Sequence, residues 1–211
     1  MLLSSPIFIF AEEIIKNKTT VLSEVVVTGK EEKQSLTTPS QAQAAHNIKK
    51  IPGGVDLIGQ DDYKTGRSTM ITDILGYSPG VHAQQRDTGA QEARVSIRGS
   101  GLQRTFHLRG IQLLQDGVPL NDADGSGDFY KIEPLATDYT EVYRGGNALR
   151  YGATTLGGAI NFISPTGYTA ALLQSRVEAG SFGYIRSQIS SGQVMGPFDY
   201  YASISQFKQD G

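Results

Sequence analysis

The chain has 211 residues, a formal net charge of −2 and a hydrophobic share of 38%, with a mean hydropathy of −0.26 and a pI near 5.9. This slightly acidic balance argues against a nucleic-acid binder, which carries a basic face, and the absence of cysteine removes disulfides, zinc-thiolate sites and thiol chemistry together. No uncharged apolar run approaches the ~20 residues a transmembrane helix needs, although β-barrel strands, which alternate and keep hydropathy low, are not excluded.

Residues 1–11 form an apolar stretch the size of a signal-peptide core, followed at once by Glu12 and Glu13. No Lys or Arg precedes it, so it reads as a secretory-signal remnant lacking its basic end. A buried N-terminal strand is the alternative, which Pro6 and the polar tract that follows suit poorly. Residues 12–47 are mostly polar, and the tracts 30–35 and 37–41 have the composition of a flexible linker with nothing to bury. One apolar island interrupts them: Glu24, Val25, Val26, Val27, Thr28 and Gly29. Three consecutive β-branched residues favour extended backbone, and such a strand in a tether can add itself to a partner's sheet. An ordinary strand of the following domain fits the position equally well.

Residues 48–165 read as a mixed α+β domain, with short helices and strands that do not strictly alternate. Strands are expected at 55–58, 95–99, 111–114, 140–144 and 157–163. Ser68 or Thr69 is placed to cap a helix holding Met70, Ile71, Ile74 and Leu75 on one face. Ser78-Pro79-Gly80 ends it, Asp116-Gly117 suits a tight turn, and Ile132–Leu135 suits a helical turn. After Pro165 the grammar changes. Leu173, Ser175, Val177 and Ala179 alternate with Gln174, Arg176 and Glu178; Ile185, Ser187 and Ile189 with Arg186, Gln188 and Ser190; Tyr200, Ala202 and Ile204 with Tyr201, Ser203 and Ser205. Turns at 180–183 and 196–198 join these runs into a meander of three strands at 166–211, the local pattern of a membrane barrel. Three strands cannot close, so the barrel is expected to be incomplete.

Two stretches carry a family resemblance. Thr140 to Gly152 contains Glu141-Val142-Tyr143-Arg144-Gly145 and ends in Tyr151-Gly152, and Gly157-Gly158-Ala159-Ile160-Asn161 follows after a short gap. Together they resemble the closing motif of the plug of TonB-dependent receptors. Ile97-Arg98-Gly99 and Asp116-Gly117-Val118-Pro119 are similar to earlier plug segments, and residues 24–29 are similar to the TonB box, upstream where that box belongs. The resemblance implies a signal remnant at 1–11, a flexible periplasmic segment at 12–47 with the box at 24–29, a plug at 48–165 and the first barrel strands at 166–211. The family's barrel has about 22 strands around a plugged lumen, so roughly 400 further residues are expected and the chain reads as a fragment.

By resemblance the chain is the front part of an outer-membrane receptor for active uptake of a ferric siderophore or similar chelate. Its implied partners are TonB with its inner-membrane energising complex, the chelate, and outer-membrane lipid. No cofactor and no nucleic acid is implied. Arg86, Gln103, Arg104, Phe106 and His107 are candidates for chelate contact from apical loops, with arginines suited to an anionic ligand. Arg98, Arg109, Glu141 and Arg144 are candidates for a charged interface between plug and barrel. Direct metal ligation by His82 and His107, and a calcium loop at Asp122, Asp124 and Asp128, are weaker readings; the last lacks the EF-hand glycine offset and terminal Glu. A freestanding periplasmic binding or signalling module, which has no need of an alternating tail, or a non-functional gene fragment is the alternative reading. An enzyme lacks support: there is no nucleophile-elbow Ser, phosphate loop, HExxH or paired carboxylate.

Overall fold

The computed structural model describes residues 35–85, 93–101 and 108–210. The proposed signal remnant and the island at 24–29 lie outside the described residues.

A central sheet of five strands has the order β1 (Val55–Gly59), β6 (Tyr139–Arg144), β7 (Gly158–Ile163), β4 (Ile111–Gln115) and β5 (Val118–Pro119). All neighbours run antiparallel except β4 and β7, which are parallel. A separate antiparallel pair joins β2 (Val81–Gln85) to β3 (Ala93–Ile97). Between β4 and β5 the chain reverses at Asp116 (φ 51°) and Gly117 (φ 80°). Two successive positive φ angles define the hairpin turn that follows strand twist, which is why an Asp-Gly pair stands there.

The two faces of the sheet differ. Register puts Asp56, Val142, Ile160 and Leu113 in one row. On that face Ile58, Tyr63, Ile74, Leu75, Val95, Ile97 and Phe162 join the largest apolar cluster, so β2, β3, α2 (Gln60–Tyr63) and α3 (Ile71–Leu75) are held by burial. On the opposite face the corresponding row is Leu57, Glu141, Asn161 and Leu114. A short helix, α1 (Gln41–Ile48), covers one end of this face through Ala44 against Tyr139 and Ile163. The 3-10 turns of residues 145–151 cover the other end with Ala148.

Two local features depart from expectation. The tract 37–41, linker-like by composition, leads directly into α1, whose N-cap Ser40 accepts from the Gln43 N–H at 3.3 Å. Helix α3 is capped by neither Ser68 nor Thr69. Asp73 in its first turn reaches back to the N–H groups of Thr69 and Met70 at 3.2 and 3.0 Å; the Ser68 hydroxyl donates to the Tyr63 carbonyl at 3.3 Å, and both hydroxyls also meet another element.

That element is the meander. Strands β8 (Gln174–Ala179), β9 (Ile185–Met195) and β10 (Phe198–Lys208) pair antiparallel in the order β10-β9-β8. They do not close into a barrel. Alternation sorts their side chains as read above. Arg176, Glu178, Arg186, Gln188 and Ser190 face the central domain, while Val177, Ile185, Ile189 and Ile204 are exposed on the far side.

Candidate functional site

The inward face of the meander meets the central domain in a polar seam. Its centre is Arg186, only 2% exposed, although Ile185 and Ile189 on the same strand are exposed. Its guanidinium pairs with Glu133 and donates to the Thr69 carbonyl at 3.2 Å. Glu133 also accepts from the Ser205 hydroxyl at 2.6 Å, so one carboxylate ties β9 and β10 to the segment preceding β6. A buried guanidinium is stable only with such partners.

A second cluster lies along β8. Arg176 pairs with Glu178 at 2.7 Å and donates to the Gly66 carbonyl and the Ser68 hydroxyl at 3.0 and 3.2 Å. Glu178 in turn accepts from Tyr184 at 2.8 Å and from Thr69 at 3.3 Å. Thr69 and Tyr184 are also hydrogen-bonded to one another. Segment 66–69 is therefore tied, beyond its local bonds to Asp73 and Tyr63, to side chains more than a hundred residues later. Beside this cluster a cavity of about 720 Å³ opens between Arg67, Met70, Arg176, Phe182 and Tyr184.

This arrangement can do one thing chemically: hold a folded domain against a sheet by directional polar contacts. Buried charges that are partnered fix the position of one surface on the other, because separating a pair leaves a charge without its partner.

The family model for the TonB-dependent receptor plug domain matches residues 47–159. The chain belongs to this family. A curated relative, the ferrichrome outer membrane transporter/phage receptor of Escherichia coli, is 24% identical over 140 residues, covering 64% of this chain and 17% of that protein. The chain thus spans a small part of the relative's length. Among solved structures, the siderophore receptor PirA from Acinetobacter baumannii matches with a TM-score of 0.55 at 21% identity, covering 82% of this chain and 26% of that one. P. aeruginosa FpvA, bound to pyoverdines in its structure, matches with a TM-score of 0.56 at 20% identity, covering 75% and 20%. These likenesses establish the fold: a plug followed by antiparallel strands, part of the receptor architecture.

The plug places the four residues expected at a charged interface as follows. Arg144 forms a two-pronged pair with Asp56, at 2.5 and 3.1 Å, and Ser78 donates to the same carboxylate at 2.5 Å. Glu141 accepts from the Tyr143 hydroxyl and the Asn161 amide, each at 3.2 Å. Both therefore make these contacts inside the plug. Arg98 and Arg109 are exposed, with the Arg98 guanidinium beside Gly145. Arg86, Gln103, Arg104, Phe106 and His107 lie outside the described residues. His82 is exposed on β2. The acidic loop spends its carboxylates locally: Asp124 accepts from Ser126, Asp128 caps the turn at Phe129–Lys131, and Asp122 faces Lys131 at 3.7 Å.

Burial raises several hydroxyl pKa values. Tyr139 and Tyr143 on the Glu141 face are pushed well above the usual tyrosine range, by desolvation first and the Glu141 charge second. Tyr63, which donates to the Thr137 carbonyl at 3.2 Å, is raised chiefly by burial as well. Burial also raises Asp138, against the opposing hydrogen bond from Thr169.

The seam residues Glu133, Thr69, Arg176, Glu178, Tyr184 and Arg186 were missed as a group. Their one sequence signal is charge on the inward face of strands whose other face is apolar. That signal cannot name the plug segments opposite.

Proposed function

We propose that this chain is the N-terminal part of a TonB-dependent outer-membrane receptor for active uptake of a ferric siderophore or similar iron chelate. The supporting observation is the polar seam. The plug is held by hydrogen-bonded charges to strands whose other side is apolar, the arrangement expected of a stopper inside a membrane barrel. The names of the relatives favour an iron-chelate cargo. Arg86 and Arg104, with Gln103, Phe106 and His107, are the proposed contacts for its anionic groups. Exposed Arg98 and Arg109 are the proposed reserve for contacts with further barrel strands, joined by Glu141 and Arg144 when their internal pairs exchange.

Energy enters, on this reading, through residues 24–29, taken up by TonB as an added strand. The periplasmic part of TonB, immobilised, is expected to retain the full chain. Val26→Pro removes a backbone donor from that strand and is expected to abolish retention. Equal capture of both chains counts against the box. Fractionation tests location: recovery with outer-membrane markers supports the receptor reading, and recovery in the soluble periplasmic fraction favours a freestanding module.

A further inference from the structure

We infer that Asp116-Gly117 is a covalent modification site under conformational control. The end of β7 holds this peptide in a form that does not isomerise, and Asp116 converts to isoaspartate only when the β4–β5 turn comes away from β7. The inference does not depend on what the receptor carries.

Aspartate followed by glycine is especially prone to this reaction, because glycine has no Cβ to shield its nitrogen. The Gly117 nitrogen attacks Asp116 Cγ. The N–Cγ bond forms, a Cγ–O bond of the protonated carboxyl breaks, and its hydroxyl leaves with the nitrogen's proton as water. A second water then opens the five-membered ring. Where it breaks the bond between the Gly117 nitrogen and the Asp116 carbonyl carbon, the main chain continues through Cγ and is one carbon longer. The old carbonyl carbon becomes a carboxylate on Cα. The reaction consumes no oxidant and needs no co-reactant but water.

Burial does not protect the turn. Asp116 and Gly117 are both exposed, and nothing lies within 4 Å of where a Gly117 Cβ would stand. What holds them is a directional clamp from β7 and the residue that follows it. The Asp116 N–H donates to the Phe162 carbonyl at 2.9 Å. Ser164 donates to both carboxylate oxygens of Asp116, from its N–H at 2.7 Å and from its hydroxyl at 2.8 Å. The Gly117 N–H donates to the Asn161 side-chain oxygen at 3.0 Å. The attacking nitrogen is thus engaged by one side chain and the carboxyl group by another residue, with φ angles of 51° and 80° fixing the peptide between them. Bringing nitrogen onto Cγ requires the carboxylate to leave Ser164 and Gly117 to leave Asn161, so local opening must precede the chemistry. Reclosure is then blocked. A two-residue turn needs successive positive φ angles, and a chain lengthened by one carbon no longer keeps that geometry in register. Isoaspartate at 116 therefore records detachment of the turn permanently.

The test incubates the full chain near neutral pH, folded in buffer and unfolded in guanidinium chloride. Isoaspartate at 116 is followed by peptide mapping and isoaspartyl methyltransferase labelling. Asp124-Gly125 in the unfolded sample serves as the assay's positive control. Conversion at Asp116 is expected to be slower in the folded chain by about a hundredfold or more, because only the open population reacts. Loss of one clamping hydrogen bond, in Ser164→Ala or Asn161→Leu, should speed the folded-state reaction about three- to tenfold and leave the unfolded rate unchanged. Asn161 also donates to Glu141, so Asn161→Leu can loosen the whole sheet. Ser164→Ala, whose lost hydroxyl meets Gln115 and Asp116, is therefore decisive. Faster isomerisation with unchanged amide protection of residues 139–144 supports the clamp. An unchanged rate overturns it, as does a faster rate accompanied by lost protection there, which would make the effect one of global stability. Equal rates at Asp116 in the folded and unfolded parent chain overturn it outright.

Discussion

Arg186 shows what a single charge costs and gains in this molecule. Its head group is removed from water and repaid by Glu133 and the Thr69 carbonyl. Arg186→Met leaves Glu133 facing the seam without its cation, and breaking such a pair from one side costs about 3 kcal/mol when one partner stays partly wet. Urea unfolding followed by tyrosine fluorescence should show that loss, and Arg186→Met combined with Glu133→Leu should recover more than half of it. No recovery would mean that the guanidinium acts mainly through Thr69. Asp138 behaves oppositely. Burial disfavours its charged form, so between the ordinary carboxylate value and its raised value the folded chain holds more of the proton than the unfolded chain. Stability therefore falls as pH rises through that window and stays lower above it. Asp138→Asn is expected to raise the urea midpoint at pH 7, the gain vanishing below the ordinary carboxylate pKa. A gain independent of pH would assign the effect to packing.

Whether a strand or helix could be read from sequence depended on where its partners lie. Strands β9 and β10 were legible because alternation is local: Ile185, Ile189 and Ile204 point one way and Arg186, Gln188 and Ser203 the other. The strands expected at 55–58 and 140–144, found at Val55–Gly59 and Tyr139–Arg144, were legible from short apolar and β-branched runs, and the Asp116-Gly117 turn from its tolerance of positive φ. Helix α1 was not, because a helix that buries one alanine leaves no apolar stripe to find. The cap of α3 was assigned in the wrong direction, since Asp73 reaches backward while Ser68 and Thr69 serve a strand over a hundred residues away. The packing of β6, β7 and β3 also depends on an invisible quantity, free space. A methyl group at Gly158 would stand 2.6 Å from the Tyr143 carbonyl oxygen and 2.8 Å from Ile97 Cδ1. Gly158→Ala should cost about 1–3 kcal/mol in unfolding free energy through overpacking. Gly146→Ala, with nothing within 4 Å, should stay within about 0.5 kcal/mol of the parent. Equal midpoints for the two variants would show that the sheet yields where it looks rigid.

The plug and meander together separate two environments. Inward, the strands offer Arg176, Glu178, Arg186, Gln188 and Ser190 to the plug; outward, Leu173, Val177, Ile185, Ile189, Phe198 and Ile204 are all more than half exposed. In water that outer face is a standing cost, because large apolar side chains gathered on one face suit a partner surface or another phase. The register sets Ile189 directly across from Ile204, so one charge there meets an apolar neighbour on the adjacent strand. If the phase is lipid, Ile189→Arg should weaken association of the full chain with phosphatidylcholine vesicles, by up to about 2–4 kcal/mol should the site lie near the bilayer centre. Ser190→Thr, one residue along and facing the plug, should leave association unchanged. Vesicle flotation measures both. Identical flotation of parent and Ile189→Arg chains would assign the outer face to something other than hydrocarbon, and a parent that fails to float would do the same.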